Sequence, residues 1–123
     1  MKKFSLGRHS KLKSEKSISL LFQSGKTLSV YPVRLLFIIS PDKLPKSSLV
    51  GFTVPKRSYK RAVDRNLLKR RMREAYRKNQ ELLPEIIPNL EMMFIYTGSE
   101  IMDFAIIERS VSKILTILTE KYI

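Results

Sequence analysis

The chain has no cysteine. A disulfide framework, a thiolate nucleophile and a zinc knuckle are therefore excluded, and the composition suits a reducing, cytoplasmic setting. Long apolar runs are also missing. The densest, Leu35-Leu36-Phe37-Ile38-Ile39, falls far below the ~20 residues needed to span a bilayer. The charged start MKKFSLGRHSK is not followed by the apolar core of a signal peptide. There is one histidine, His9, placed in an N-terminal arm where it reads as a solvated or phosphate-contacting group. Asp42, Asp64 and Asp103 lie in three different segments, whereas a metal-dependent nuclease needs clustered carboxylates or imidazoles. Neither a Ser-His-Asp arrangement nor a glycine-rich phosphate loop is present, and no internal repeat is found. No catalytic or metal-ligating set is expected within the protein itself.

Positive charge is what the chain does have. Across 123 residues, 24 Lys and Arg face 11 Asp and Glu, a net charge of +13. Residues 1–16 carry six basic groups against Glu15 alone, and residues 56–78 carry eleven against Asp64 and Glu74. The rest of the chain is nearly neutral. A hydrophobic content of 43% is enough for one globular core and excludes a disordered basic tail. The length fits a single domain over 1–123, with residues 1–12 as a flexible basic arm. Solubility alone requires neither this amount nor this concentration of charge, so a polyanion is the expected partner.

Periodicity places the basic segments on elements. Ser14 can cap a short helix carrying Ile18, Leu21 and Phe22 on one face, with Gly25 at its end. Runs at 33–39, 48–54 and 91–97 read as strands, with a further short strand near Thr27–Val30. Pro41 to Lys46 is turn chemistry. A helix is predicted from about Ala62 to Gln80, stopped by Pro84 and Pro88. A second runs from about Asp103, its N-cap, to Lys121, with Phe104, Ile107, Val111, Ile114 and Leu118 on one face. The order describes a small α/β sandwich with one sheet.

On a helical wheel, Arg65, Asn66, Lys69, Arg70, Arg73 and Arg77 fall within an arc of about 140°. Leu68, Met72, Ala75 and Leu82 fall on another. One face can then pack on the sheet while the other holds cations toward solvent. Asp64 and Glu74 lie off the basic arc, so the repulsion within it is expected to be relieved by an external polyanion. Guanidinium forks bind phosphate oxygens bidentately and stack on bases, and Asn66 adds an amide for a base edge or a sugar hydroxyl. No helix-turn-helix partner flanks the basic helix, which favours RNA over DNA.

The stretch Lys60-Arg61-Ala62-Val63-Asp64-Arg65-Asn66-Leu67-Leu68-Lys69-Arg70-Arg71-Met72-Arg73-Glu74-Ala75 resembles the signature of the bacterial ribonuclease P protein subunit. That signature is an Ala-Val pair, then Arg-Asn, then Lys-Arg, then Arg-Glu. Lys11-Leu12-Lys13, Phe22, Gly25-Lys26, Gly51-Phe52-Thr53-Val54 and Lys56-Arg57 agree with it, over roughly residues 8–120. The resemblance implies an α+β two-layer sandwich, a single mixed sheet of about four strands packed with three helices. It also implies a left-handed crossover between the parallel strands flanking the basic helix, where the general rule gives a right-handed one.

It further implies a ribonucleoprotein endonuclease whose RNA subunit removes the 5′ leader of precursor tRNA with Mg²⁺, held mainly by that RNA. The protein is then a non-catalytic subunit. Arg65, Asn66, Lys69, Arg70 and Arg73, with Lys56, Arg57, Lys60 and Arg61 from the preceding loop, are expected to contact the catalytic RNA. Ile18, Phe22 and Leu36 are expected to line a cleft for the single-stranded leader. The chain departs from the pattern in three places: Leu67 stands where arginine is common, only one of three cleft aromatics is kept, and the loop near Tyr59 has one extra residue. A ribosomal or general RNA-binding protein is the alternative reading, but it leaves the spacing of the signature unexplained. A DNA-binding regulator is a third. A membrane-surface role is weakest, because the basic helix lacks a wide apolar face and aromatic edges. Nothing implies self-association.

Overall fold

Val, Leu, Ile and Phe dominate residues 33–39, and such side chains fit a pleated surface buried on one or both faces. They form the spine of the sheet. The computed structural model describes residues 25–40, 48–83 and 89–122. Strand β1 (Lys26–Val30) and strand β2 (Val33–Ser40) make an antiparallel hairpin through Tyr31-Pro32, which are joined by a cis peptide bond. Strand β3 (Ser48–Thr53) leads to helix α1 (Ala62–Asn79) and a 3-10 turn at Gln80–Leu82. Strand β4 (Asn89–Tyr96) and helix α2 (Phe104–Tyr122) follow. The sheet runs β1-β2-β4-β3. β4 pairs antiparallel with β2, from Val33 opposite Tyr96 to Ser40 opposite Asn89. It pairs parallel with β3, from Ser48 opposite Leu90 to Thr53 opposite Ile95. The chain is thus α+β with one mixed four-stranded sheet.

Alternation along the strands assigns the two faces of the sheet. Val33, Leu35 and Phe37 on β2, and Leu90, Met92, Phe94 and Tyr96 on β4, are buried in the same core as both helices. α1 contributes Leu68, Met72, Ala75 and Tyr76 to it, and α2 contributes Ile107, Val111, Ile114, Leu115 and Leu118. Both helices therefore cover one face. The opposite face carries a smaller apolar cluster, Met93 with the partly buried Leu36, Ile38 and Ile95.

The expected α2 face is the observed one. Asp103 occupies the N-cap position, its carbonyl accepting from the Ile106 and Ile107 amides at 3.1 and 3.2 Å. Elsewhere boundaries move. β3 ends at Thr53, leaving Val54 buried just beyond it, and β4 starts at Asn89 and stops at Tyr96. Leu82, expected on the buried face of the basic helix, is 42% exposed. The helix tightens into a 3-10 turn at Gln80, and three residues per turn instead of 3.6 carry Leu82 off the apolar stripe. Tyr76 and Leu83 enter the core instead. The described residues contain two helices; the short helix expected from Ser14 and the arm at 1–12 lie outside them.

Candidate nucleic-acid interface

The apolar stripe of α1 determines where its cations go. Leu68, Met72 and Ala75 are fully buried. Opposite them Asn66, Arg70 and Arg73 are exposed, while Arg65 and Lys69 are half-buried at the edge of the same face. Lys56, Arg57, Lys60 and Arg61 in the loop before α1 are all exposed. The nine RNA-contact candidates therefore occupy one helix and the loop that leads into it. Of the cleft candidates, Leu36 is half-buried on the sheet face that the helices leave free. Ile18 and Phe22 lie outside the described residues.

α1 begins without a side-chain cap. Arg61 is the N-cap residue and makes no capping hydrogen bond. The first-turn amides of a helix lack internal partners, and its N-terminus carries about half a positive charge. Arg61, Lys60 and Arg65 add full positive charges there, against Asp64 as the single acid of the first turn. The start of the helix is thus electrostatically unfavourable by itself and favourable for an anion.

Two arginines of the basic arc also donate hydrogen bonds within the protein. The Arg65 guanidinium donates from Nη1 to the carbonyls of Tyr59 and Lys60, both at 2.8 Å. Its Nε and Nη2 groups make no hydrogen bond among the described residues. Arg77 donates to the Glu74 carboxylate from Nε at 3.0 Å and from Nη2. That pair holds the Glu74 carboxyl below the usual carboxylate range and raises Arg77. The expectation that no acid relieves the arc is corrected here: Glu74, one turn before Arg77, neutralises its C-terminal end. Residues at i,i+3 are neighbours on the helix surface, so Glu74, just outside the arc, still reaches Arg77 within it.

Arg73 is placed by an aromatic ladder. Its guanidinium carbon lies over the Phe52 ring, 6.0 Å from the centroid. Phe52 stacks on Phe94 at 5.6 Å and 11°, because the parallel register sets the two directly opposite each other. Arg71, on another side of α1, donates from Nη1 to the Met102 carbonyl at 2.6 Å and braces the helix against the approach to α2. Neither Phe52 nor Arg71 stands out in the sequence as part of the site. Phe52 could be assigned only once β3 was known to lie beside β4. Among the described residues, no three His, Asp or Glu side chains form a group that could hold a metal ion.

The family profile described as Ribonuclease P matches residues 6–119. The ribonuclease P protein component of Porphyromonas gingivalis is 32% identical over 116 residues, covering 91% of this chain and 85% of that one. The corresponding protein of Chlorobium phaeobacteroides is 31% identical over 125 residues, covering 90% and 86%. Among solved structures, the RNase P protein of Thermotoga maritima superposes with a TM-score of 0.71 at 25% identity, covering 87% of this chain and 96% of that one. The Staphylococcus aureus protein gives the same TM-score at 17% identity, covering 88% and 94%, a likeness of fold.

Proposed function

The chain belongs to the ribonuclease P protein family, the protein subunit of an endoribonuclease holoenzyme with an RNA partner, and from that premise we propose how its surface serves that assembly. Asn66, Lys69, Arg70 and Arg73 on α1, with Arg65 and the loop residues Lys56, Arg57, Lys60 and Arg61, contact the catalytic RNA. The 5′ leader of precursor tRNA lies across the other sheet face, against Leu36 together with Ile18 and Phe22. The protein is a non-catalytic subunit: it breaks no bond itself. Its cations lower the repulsion between two RNAs, which lets them approach and favours Mg²⁺ sites built by the RNA. The setting is the cytoplasm. The observation that carries this reading is the division of α1, with Leu68, Met72 and Ala75 locked in the core and Asn66, Arg70 and Arg73 in solvent.

Reconstitution tests it. The chain is mixed with a bacterial ribonuclease P RNA and a labelled precursor tRNA in Mg²⁺ at moderate salt. Alone, the protein leaves the precursor intact. With the RNA, it speeds cleavage or tightens substrate binding, and it favours leader-bearing over mature tRNA. Phe22→Ala and Leu36→Ala reduce that preference. Nuclease activity retained after complete removal of RNA would refute the non-catalytic role, and equal effects of Phe22→Ala on precursor and mature tRNA would refute the cleft.

A further inference from the structure

The loop before α1 carries four exposed cations within six residues, yet it is held from two sides. From beneath, Tyr59 is 8% exposed and its ring packs edge-on against Tyr96 at 5.8 Å. Its hydroxyl donates to the Gly98 carbonyl at 2.7 Å, across 39 residues of sequence. From α1, Arg65 donates to the Tyr59 and Lys60 carbonyls. The loop also closes on itself, with the Ser58 and Tyr59 amides donating to the Pro55 carbonyl at 3.3 and 3.1 Å. The acceptor side is fixed as well. Tyr96 donates to the Glu100 carbonyl and accepts from the Met102 amide, and the Ser99 amide donates to the Tyr31 hydroxyl at 3.1 Å. Burial pushes the Tyr59 hydroxyl above the ordinary tyrosine range.

We infer that Lys56–Arg61 is a preformed phosphodiester-binding loop, with Tyr59 as the positioning residue that holds Lys56, Arg57, Lys60 and Arg61 in place. Arg65 joins the loop to the helix: Nη1 holds the loop, and Nε and Nη2 face an RNA phosphate. Four cations on six residues repel one another, and a free loop would spread them. Holding them together before binding removes an ordering cost that would otherwise fall on the complex. This deepens the RNA-contact reading and rests on it.

The test is a double-mutant cycle on affinity for a bacterial ribonuclease P RNA transcript, read across a salt series well below the melting temperature. Tyr59→Phe removes one oxygen and no charge. It should weaken binding about threefold to tenfold and leave the slope of log affinity against log salt unchanged. Amide exchange at Ser58 and Tyr59 should quicken. The quadruple variant Lys56→Ala, Arg57→Ala, Lys60→Ala, Arg61→Ala should lose affinity and flatten the slope. In that background Tyr59→Phe should cost nothing further, which a merely structural role would not produce. Wild-type affinity for Tyr59→Phe, or the same loss in both backgrounds, overturns the inference while leaving the RNA-contact reading intact. An unchanged slope and affinity for the quadruple variant overturns the loop's part in RNA contact, and the inference with it.

Discussion

Leu68 and Arg70 stand two residues apart on α1 and have opposite consequences. Leu68 is fully buried, so Leu68→Ala leaves a cavity and should cost about 2–5 kcal/mol of stability. Urea denaturation checks this, and RNA affinity of the folded variant should stay near that of the parent. Arg70 is exposed, so Arg70→Ala should leave the melting point alone. It should weaken RNA binding and reduce the salt slope by roughly 0.7–0.9 for each phosphate it no longer neutralises. Asn66→Ala, which removes a neutral amide, should weaken binding with no change of slope. Which side each residue takes was legible in the sequence, because amphipathic spacing alone assigns it. The partners of Arg65 and Arg77 were not. Arg65 finds its acceptors through the path of a loop, and Glu74 reaches Arg77 from outside the basic arc.

At the scale of elements, α1 starts badly for a free helix. Replacing Arg61 at the N-cap by serine supplies the missing acceptor and removes a cation from the positive end of the helix dipole. Arg61→Ser should raise stability by about 1 kcal/mol, read as a higher melting temperature, and should weaken RNA binding with a flatter salt slope. A gain in stability without loss of affinity would separate Arg61 from the interface. The join between β3 and α1 makes a different prediction. Phe52→Leu keeps an apolar side chain but removes the ring beneath Arg73. A cation–π contact at an exposed site is worth about 0.5–1 kcal/mol, so RNA affinity should fall roughly twofold to fivefold with the slope intact, and Arg73→Lys should behave alike. Helix α2 was readable to within one residue because its period is uninterrupted. The end of α1 was read as closely, but the 3-10 turn that follows it was not, since a change from α to 3-10 winding leaves no mark in an apolar pattern.

At the scale of the whole molecule, the core responds to alkali. Burial pushes the Tyr76 hydroxyl up to about 12, against 10.0 for a free tyrosine. The folded state therefore holds its proton where the unfolded state has lost it. Stability that is intact below pH 10 should fall as the pH rises from 10 toward 12. Unfolding midpoints measured across that interval check the sign, and Tyr76→Phe should soften the decline. The division into strands and helices was evident from residue patterns, whereas the strand order was not. Inserting β4 between β2 and β3 is a long-range pairing that local patterns do not specify. The resemblance to the family supplied the mixed sheet and the parallel strands on either side of α1, but not the order of the strands.

The central position of β4 also bears on how the protein is made. Among the described residues β3 has no neighbour in the sheet except β4, and the floor on which α1 rests includes Phe94. A nascent chain that has left the ribosome only as far as residue 83 would hold the hairpin, β3 and the basic helix, but only part of the surface on which that helix rests. Leu68, Met72 and Tyr76 would then lack the side of the core that the eight residues of β4, and after them α2, supply. During that interval the half-made protein would present a cationic helix with an incompletely covered apolar side, the state in which a chaperone, or a nearby RNA, would meet it first.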